Sequence, residues 1–402
     1  MHIRRPEIEL LLCCARTVRS PETAAHIRAL LQEGIDWEYL LRTARRHGVA
    51  PLLYWHLDAT CSDAVPKNAF DHLRDHFRAN GLRNLFLTGE LVRLLNAFEA
   101  REISAIPYKG PALAASVYGN LALREFNDLD ILVRRHDVPK AKEVLASMGY
   151  QARYRLTRTQ ETGFLRSQRE HPFRREDGKC VVELHWEIAE KYFFPIDTER
   201  LWERLSRISL AGNSVLNLSP EDMLLILCTH GAKHAWERLE WICDVAELIR
   251  AHRENIGWEQ LLAQARGLSN ERTLLLGLFL ASDLLGAVLP KKVSQRVRAD
   301  PTVKGLAERT YEQLFRETDR PAGLLEGHEG APVFHSLHLE VRERLRDKLR
   351  YWSRRAAALR GEDWELVTLP KFLFPFYYVL RAIRMSGKYG PRILKRFLSM
   401  VR

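Results

Sequence analysis

The hydrophobic period of this chain changes at two places. From the N-terminus to about residue 95, apolar residues recur at three- and four-residue steps in PEIELLLCCARTV, PETAAHIRALLQEG, DWEYLLRTARRHG and NGLRNLFLTGELVRLLNAFEA. That is the spacing of helices with one buried stripe. Between about residues 103 and 187, short β-branched runs alternate with short helical ones, and from about 218 the helical period returns. The expected fold class is therefore α+β: one small mixed sheet with its helices, set between large N- and C-terminal helical regions.

The punctuation agrees with this division. Ser20-Pro21 and Asp36 look like helix starts, and Gly34 and Gly48 like stops. In the middle section, ISAIPYKG reads as a strand ending in glycine, and PALAASVYG as a short helix with Pro111 in its first turn and Gly119 at its end. FNDLDILV reads as a strand and VPKAKEVLASMGY as a helix closed by Gly149; ARYRLT, HPFRRED and KCVVELHW read as short strands. Further on, SPEDMLLILCTHGAKHAWERLEWICDVAELIRAH opens with Ser219 as N-cap and Pro220 in the first turn, and should break into two helices near Ala235–Arg238.

Composition excludes several classes. The 402 residues are 46% hydrophobic and 28% charged, as in a folded soluble protein. The six cysteines form no CxxC pair, which fits a reducing compartment and argues against a disulfide framework or a structural zinc site. At the start, MHIRRPEIELLLCCAR places arginines before an apolar run, but Glu7 and Glu9 interrupt it and no small-residue cleavage site follows. We expect no signal peptide and a cytoplasmic location. The run Thr273 to Pro290 carries Asp283 and ends in proline, so a buried helix is expected there rather than a membrane span.

The net charge is +11, and residues 341–402 alone hold 16 Lys plus Arg against 5 Asp plus Glu, which is the whole excess. A nucleic-acid partner is not expected, because such a binder spreads positive charge over its working surface. The basic and aromatic tail leaves three readings open: packing against the body, peripheral attachment to an anionic membrane surface, or another partner.

The chemistry concentrates in the α/β section. Residues two apart on a strand share a face, so Asp128 and Asp130 point one way while Leu129 and Ile131 point into a core. Two carboxylates about 7 Å apart on one strand face repel unless a cation lies between them. Mg²⁺ favours such ligands and keeps positions for phosphate oxygens. By the same alternation Glu183 and His185 share a face of a second strand. Three carboxylates from two neighbouring strands suit in-line phosphoryl or nucleotidyl transfer. Lys109 and Gly110 lie between a strand and a helix, where glycine admits close backbone approach and a helix start favours an anion. Arg124 is a candidate phosphate clamp, and His185 a candidate base or acceptor contact, with a structural strand histidine as its other reading. His171 is a weaker candidate. His230 and His234 lie four apart with Glu237 following, a spacing open to a zinc site, a cleft lining or a packed pair; Trp241 and Asp244 should continue that face.

The order of these features resembles the DNA polymerase β-like nucleotidyltransferase superfamily. Within it, the match is to the large, mostly helical, uncharacterised bacterial nucleotidyltransferases. Their pattern is similar to YKGPALAASVYGNLALREFNDLDILV, then VVELHW, then HGAKHAWERLEWICDVAELI, covering roughly residues 30 to 290. The resemblance implies that Asp128, Asp130 and Glu183 bind Mg²⁺ or Mn²⁺ and are catalytic, and that Gly110 with Lys109 lies beside the nucleotide phosphates. It also favours His230 and His234 as a lining of the cleft. Pro111 stands where the superfamily usually has Ser or Gly, and Asp128 follows Gly110 by 18 positions, a longer spacing than is common.

The expected activity is transfer of a nucleoside monophosphate from an NTP, such as ATP, to a hydroxyl or other nucleophile on an unidentified small molecule, peptide or protein. The alternatives are a non-catalytic, antitoxin-like binding protein of the same fold, or transfer of another phosphorylated group. The expected division is a helical region over 1–98, the nucleotidyltransferase core over 99–200, a helical domain closing the cleft over 201–335 and the tail over 336–402.

Overall fold

The computed structural model describes residues 5–189, 196–316 and 337–384 apart from 382. It opens with helices α1 (Pro6–Cys14), α2 (Pro21–Gln32), α3 (Trp37–Arg46), α4 (Ala50–Thr60) and α5 (Lys67–Glu99). The expected caps are in place. The Ser20 side chain accepts from Thr23 N at 3.1 Å and that of Asp36 from Tyr39 N at 3.0 Å, satisfying backbone donors that the helix leaves free. At 33 residues, α5 is about 50 Å long. Its C-terminal half presents Leu87, Leu91, Leu94 and Phe98 to the sheet.

The middle section contains β1 (Ala105–Pro107), α6 (Gly110–Leu113, continued as a π turn through Tyr118), β2 (Leu129–Val133), α7 (Val138–Ser147), β3 (Tyr150–Ala152), α8 (Arg158–Ser167), β4 (Glu170–Arg175) and β5 (Val181–His185). The sheet order is β1-β2-β5-β4-β3. β2 and β5 run parallel and the other pairs antiparallel. Being central and covered on both sides, β2 is buried throughout, which is why its sequence is nearly all apolar.

Two segments differ from expectation. ARYRLT contributes only its first residue to a strand, and α8 follows it. The signal was a capping box: the Thr157 side chain accepts from Gln160 N while the Gln160 side chain accepts from Thr157 N. An unexpected hairpin also follows the sheet, after α9 (Thr198–Leu201). Strands β6 (Ser206–Leu210) and β7 (Asn213–Asn217) are joined by Ala211-Gly212, both at positive φ (48° and 79°), the turn that matches strand twist.

Helices then resume: α10 (Pro220–Lys233), α11 (Leu239–Ala251), α12 (Trp258–Gly267), α13 (Glu271–Leu285), α14 (Lys291–Ala299) and α15 (Pro301–Leu314), with α16 (Leu345–Ala357) and α17 (Gly361–Glu365) in the tail. The break between α10 and α11 falls where expected; Ala235 and Trp236 take left-handed φ of 51° and 54°, and Trp236 packs into space left by Gly231 and Gly277. The apolar run beginning at Thr273 is the buried α13, and among the described residues no helix is long and apolar enough to cross a membrane. All six cysteines are free thiols.

Two cores result. The larger joins α1–α4 to α10, α11 and α13–α15 and takes in Ile106 and Leu132 of the sheet and Tyr108 just after β1. The other lies against the opposite sheet face, from Leu129, Ile131, Val133, Val182 and Leu184, with α5, α7 and the tail residues Trp364 and Tyr377. The tail is docked there: the Gln160 amide donates to Trp364 O at 2.7 Å and to Tyr377 Oη at 3.1 Å.

Candidate functional site

The parallel register sets Asp130 directly beside Glu183 and Leu132 beside His185; across the next, antiparallel pairing, Glu170 lies opposite His185. Side chains at paired positions leave the same face. That face therefore carries Asp130 from β2, Glu183 and His185 from β5, and Glu170 from β4, while Leu129, Ile131, Val182 and Leu184 fill the core behind it.

His185 sits at the centre, 1% exposed at its side chain. Its Nε2 is 3.1 Å from Asp130 Oδ1 and 3.4 Å from Glu183 Oε2, and its Nδ1 is 3.2 Å from Glu170 Oε2. The last approach lacks hydrogen-bond alignment, so the buried Nδ1 has no hydrogen-bond partner, while Glu170 Oε2 lies 2.8 Å from Arg169 Nη2. Among the described residues, Asp130, Glu183 and His185 offer ligand atoms that all lie within 4.8 Å of one another. Asp128 is not in this group. It precedes β2 by one residue, and its carbonyl is held beside Gly110. It still belongs to the same electrostatic cluster: burial, then the charges of Asp130 and Glu183, push its carboxyl up to about 7.

Burial alone would raise Asp130 as well, but Lys109 and His185 outweigh it and hold its carboxyl below the usual range. Lys109 Nζ lies 3.5 Å from Asp130 Oδ1 and 5.3 Å from the centre of the Tyr108 ring. For Glu183, burial is likewise overcome, chiefly by the His185 hydrogen bond, and the carboxyl is lowered. His185 moves up to about 9, since Glu170, Asp130 and Glu183 together exceed the effect of its burial.

Gly110 has φ +52°, and a Cβ there would lie 3.3 Å from Asp128 O, so both backbone conformation and space call for glycine. Tyr108 completes the floor, donating from Oη to Asp130 Oδ1 at 3.4 Å and setting its ring edge-on to His185 at 5.3 Å.

Arg124 is a correction to expectation. It is buried, and its Nε and Nη2 donate to Asp244 Oδ1 and Oδ2, both at 2.8 Å; Tyr118 Oη donates to Oδ1 at 2.7 Å. The guanidinium thus ties α11 to the loop entering β2 rather than standing free for phosphate. Asn80 and Asn84 of α5 hold that loop from behind through the carbonyls of Leu121, Ala122 and Arg124.

His230 and His234 pack as a pair, ring centres 4.8 Å apart, each against Trp241 at 5.4 and 5.2 Å. Burial, then the Lys109 charge, press His230 well below the ordinary imidazole range, which sets the neutral ring within reach of the Lys109 field. Glu237 leaves this group: α10 ends at Lys233, and Glu237 accepts from Gln313 on α15 at 3.3 Å. The zinc reading loses its third ligand. His171 faces the other core, among Tyr154, Phe164 and Phe173. Its neighbour Glu170 is the site residue that sequence reasoning missed, although strand alternation through EHPF puts it on the face opposite His171.

A family model described as uncharacterised nucleotidyltransferase matches residues 33–286. The chain belongs to that nucleotidyltransferase family. Every residue of the cluster, from Tyr108 to Asp244, lies inside the family span. No curated protein and no solved structure matches the chain.

Proposed function

We propose that the chain transfers a nucleoside monophosphate from an NTP to a hydroxyl or other nucleophile of an acceptor, at a metal-dependent site on the face of the β2–β5 pair that carries Asp130 and Glu183. The observation that carries this reading is the convergence of Asp130, Glu183 and His185, whose ligand atoms all lie within 4.8 Å of one another. Three acids converge strongly enough that one is pushed up to about 7, although Lys109 and His185 already neutralise part of the charge. Such a cluster stores a demand for a cation.

The donor set fits a divalent ion: Asp130 and Glu183, with His185 Nε2 within reach and Asp128 in the same charge cluster, would hold Mg²⁺ or Mn²⁺. When bound, that ion supplies charge neutralisation for triphosphate oxygens and for the pyrophosphate leaving group. The chain's own residues do the rest. Lys109 swings between Asp130 and a phosphate oxygen. The Gly110 backbone permits close approach of the same group. The Glu170 charge beside His185 Nδ1 favours the ring orientation that keeps Nε2 on the acidic face. The His230–His234–Trp241 shelf offers neutral aromatic surface for a base or acceptor. The superfamily assignment, a polymerase β-like core, is supported by the order of Gly turn, helix, acid-bearing strand and later acid strand.

The test is a panel of four NTPs with Mg²⁺ or Mn²⁺, read by thermal shift and by pyrophosphate release. Wild type should bind and turn over at least one NTP, and Asp130→Asn should lose turnover by about a thousandfold or more, the scale of removing a group that holds the reacting charge. Turnover retained in Asp130→Asn, with its melting transition intact, refutes the proposal.

A further inference from the structure

Among the described residues, exposed apolar side chains are concentrated in the tail. Ten of the fifteen exposed large hydrophobic side chains among the described residues lie between Leu345 and Ile383. They are ordered. On α16, Leu345, Leu349 and Trp352 are 72%, 63% and 47% exposed, at steps of four and three. Beyond α17, Phe372 on a short 3₁₀ turn (Lys371–Leu373) is 79% exposed, and Phe376, Val379 and Ile383 on the helical stretch after it are 56%, 50% and 64% exposed, at steps of three and four. Leu345, Leu349 and Trp352 form one helical stripe, and Phe376, Val379 and Ile383 form another, with Phe372 just before it.

The same elements are anchored by their inner faces. Tyr351 is fully buried under α16, its Oη 2.8 Å from His338 Nδ1. Trp364 and Tyr377 are buried against α8, where a Cβ on Gly163 would come within 2.3 Å of the Trp364 ring, and Arg381 and Arg384 are paired to Asp363 at 3.1 and 2.7 Å. The stripes therefore face outward because the opposite faces are already committed.

The charge around them selects the occupant. Residues 341–402 carry 16 basic and 5 acidic side chains, while the rest of the chain is balanced at 46 of each, from 62 − 16 and 51 − 5. On α16, Lys348 and Arg355 fall to one side of the Leu345–Leu349–Trp352 stripe and Arg346 to the other, as the helical angle of 100° per residue requires. A second copy of this chain would bring the same positive charge to the contact. Nucleic acid would meet the basic groups but has no use for exposed Leu, Val and Ile. An anionic lipid surface satisfies both, with apolar stripes entering the acyl boundary and flanking cations meeting headgroups.

We infer that the tail is a membrane-surface docking face, on which the stripes of α16 and of residues 372–383 enter an anionic leaflet. This holds whatever reaction the cleft performs. It is tested by floating the full-length protein with vesicles of phosphatidylcholine alone and of phosphatidylcholine with phosphatidylserine. The expected result is co-flotation with the anionic vesicles only, weakened by salt. Phe372→Ser with Phe376→Ser should lower partitioning about tenfold or more, and so should Leu349→Gln with Trp352→Ser, with unfolding transitions unchanged because all four side chains are exposed. No flotation, equal flotation on neutral vesicles, or partitioning indifferent to both double variants overturns the inference. So does a concentration-dependent dimer in sedimentation that the same variants abolish.

Discussion

Consider Asp244→Ala. In the native protein this carboxylate, 2% exposed, accepts two hydrogen bonds from Arg124 and one from Tyr118. Removing it leaves a guanidinium and a hydroxyl buried without their partner. A charge stranded in this way costs about 3–5 kcal/mol, and the unpaired Tyr118 hydroxyl adds about 1 kcal/mol at the lower bound. We therefore expect Asp244→Ala to lose about 4–6 kcal/mol in urea unfolding. Tryptophan fluorescence is a suitable signal, since Trp241 lies one turn before Asp244 on α11. Arg124→Met should cost about 3–5 kcal/mol for the converse reason, while the pair Arg124→Met with Asp244→Leu should cost less than either single change, because neither charge remains in the interior. The reasoning fails if Arg124→Met leaves the urea midpoint unchanged and instead raises the NTP concentration needed for turnover. That outcome would return Arg124 to the phosphate-clamp role its position in the sequence suggested.

Three further outcomes are expected. Gly110→Ala should lose about 1–2 kcal/mol of stability, the strain of a Cβ at positive φ, and raise the apparent KM for NTP by crowding the Asp128 carbonyl 3.3 Å away; steady-state kinetics and urea melts read the two effects separately. His171 is held down to about 3 by burial and then by the Lys142 charge, below the ordinary 6.5. Its stability contribution is therefore complete above pH 6.5 and is lost as pH falls from there toward 3, at up to about 1.4 kcal/mol per pH unit. His171→Phe, placed among Phe164, Phe173 and Tyr154, should make the unfolding midpoint less sensitive to acid between pH 6.5 and 4.5; an unaltered slope would contradict this. Glu170→Gln should lower Mn²⁺ affinity, read by electron paramagnetic resonance, about tenfold or more if it orients His185, whereas equal affinity would leave Glu170 only structural.

Several elements could be read from residues alone because local chemistry dictates them. The caps at Ser20, Asp36 and Ser219 and the break after Lys233 depend on neighbours within four positions. The acid-bearing strand was legible from its period of two. Sequence alone also put Glu183 and His185 on one face, and Lys109-Gly110 at a strand-to-helix turn. What misled was partner choice. Arg124 stands four residues before Asp128 and so looks aimed at phosphate, but α11 delivers Asp244 to it from 120 residues away. His230, His234 and Glu237 fit one helical face on paper, yet the helix ends at Lys233 and Glu237 turns to α15.

By itself, then, the sequence determined which side chains share a face, where helices begin, and that chemistry resides between residues 103 and 187. Only the tertiary structure decided which faces meet. The parallel β2–β5 register sets Asp130 beside Glu183, and the antiparallel β4 adds Glu170 at the far side of His185. The physical reason is range. Periodicity and capping are set by backbone geometry over a few residues, whereas strand order and ion pairing are settled by burying the whole apolar surface at once, and that competition has no local signature.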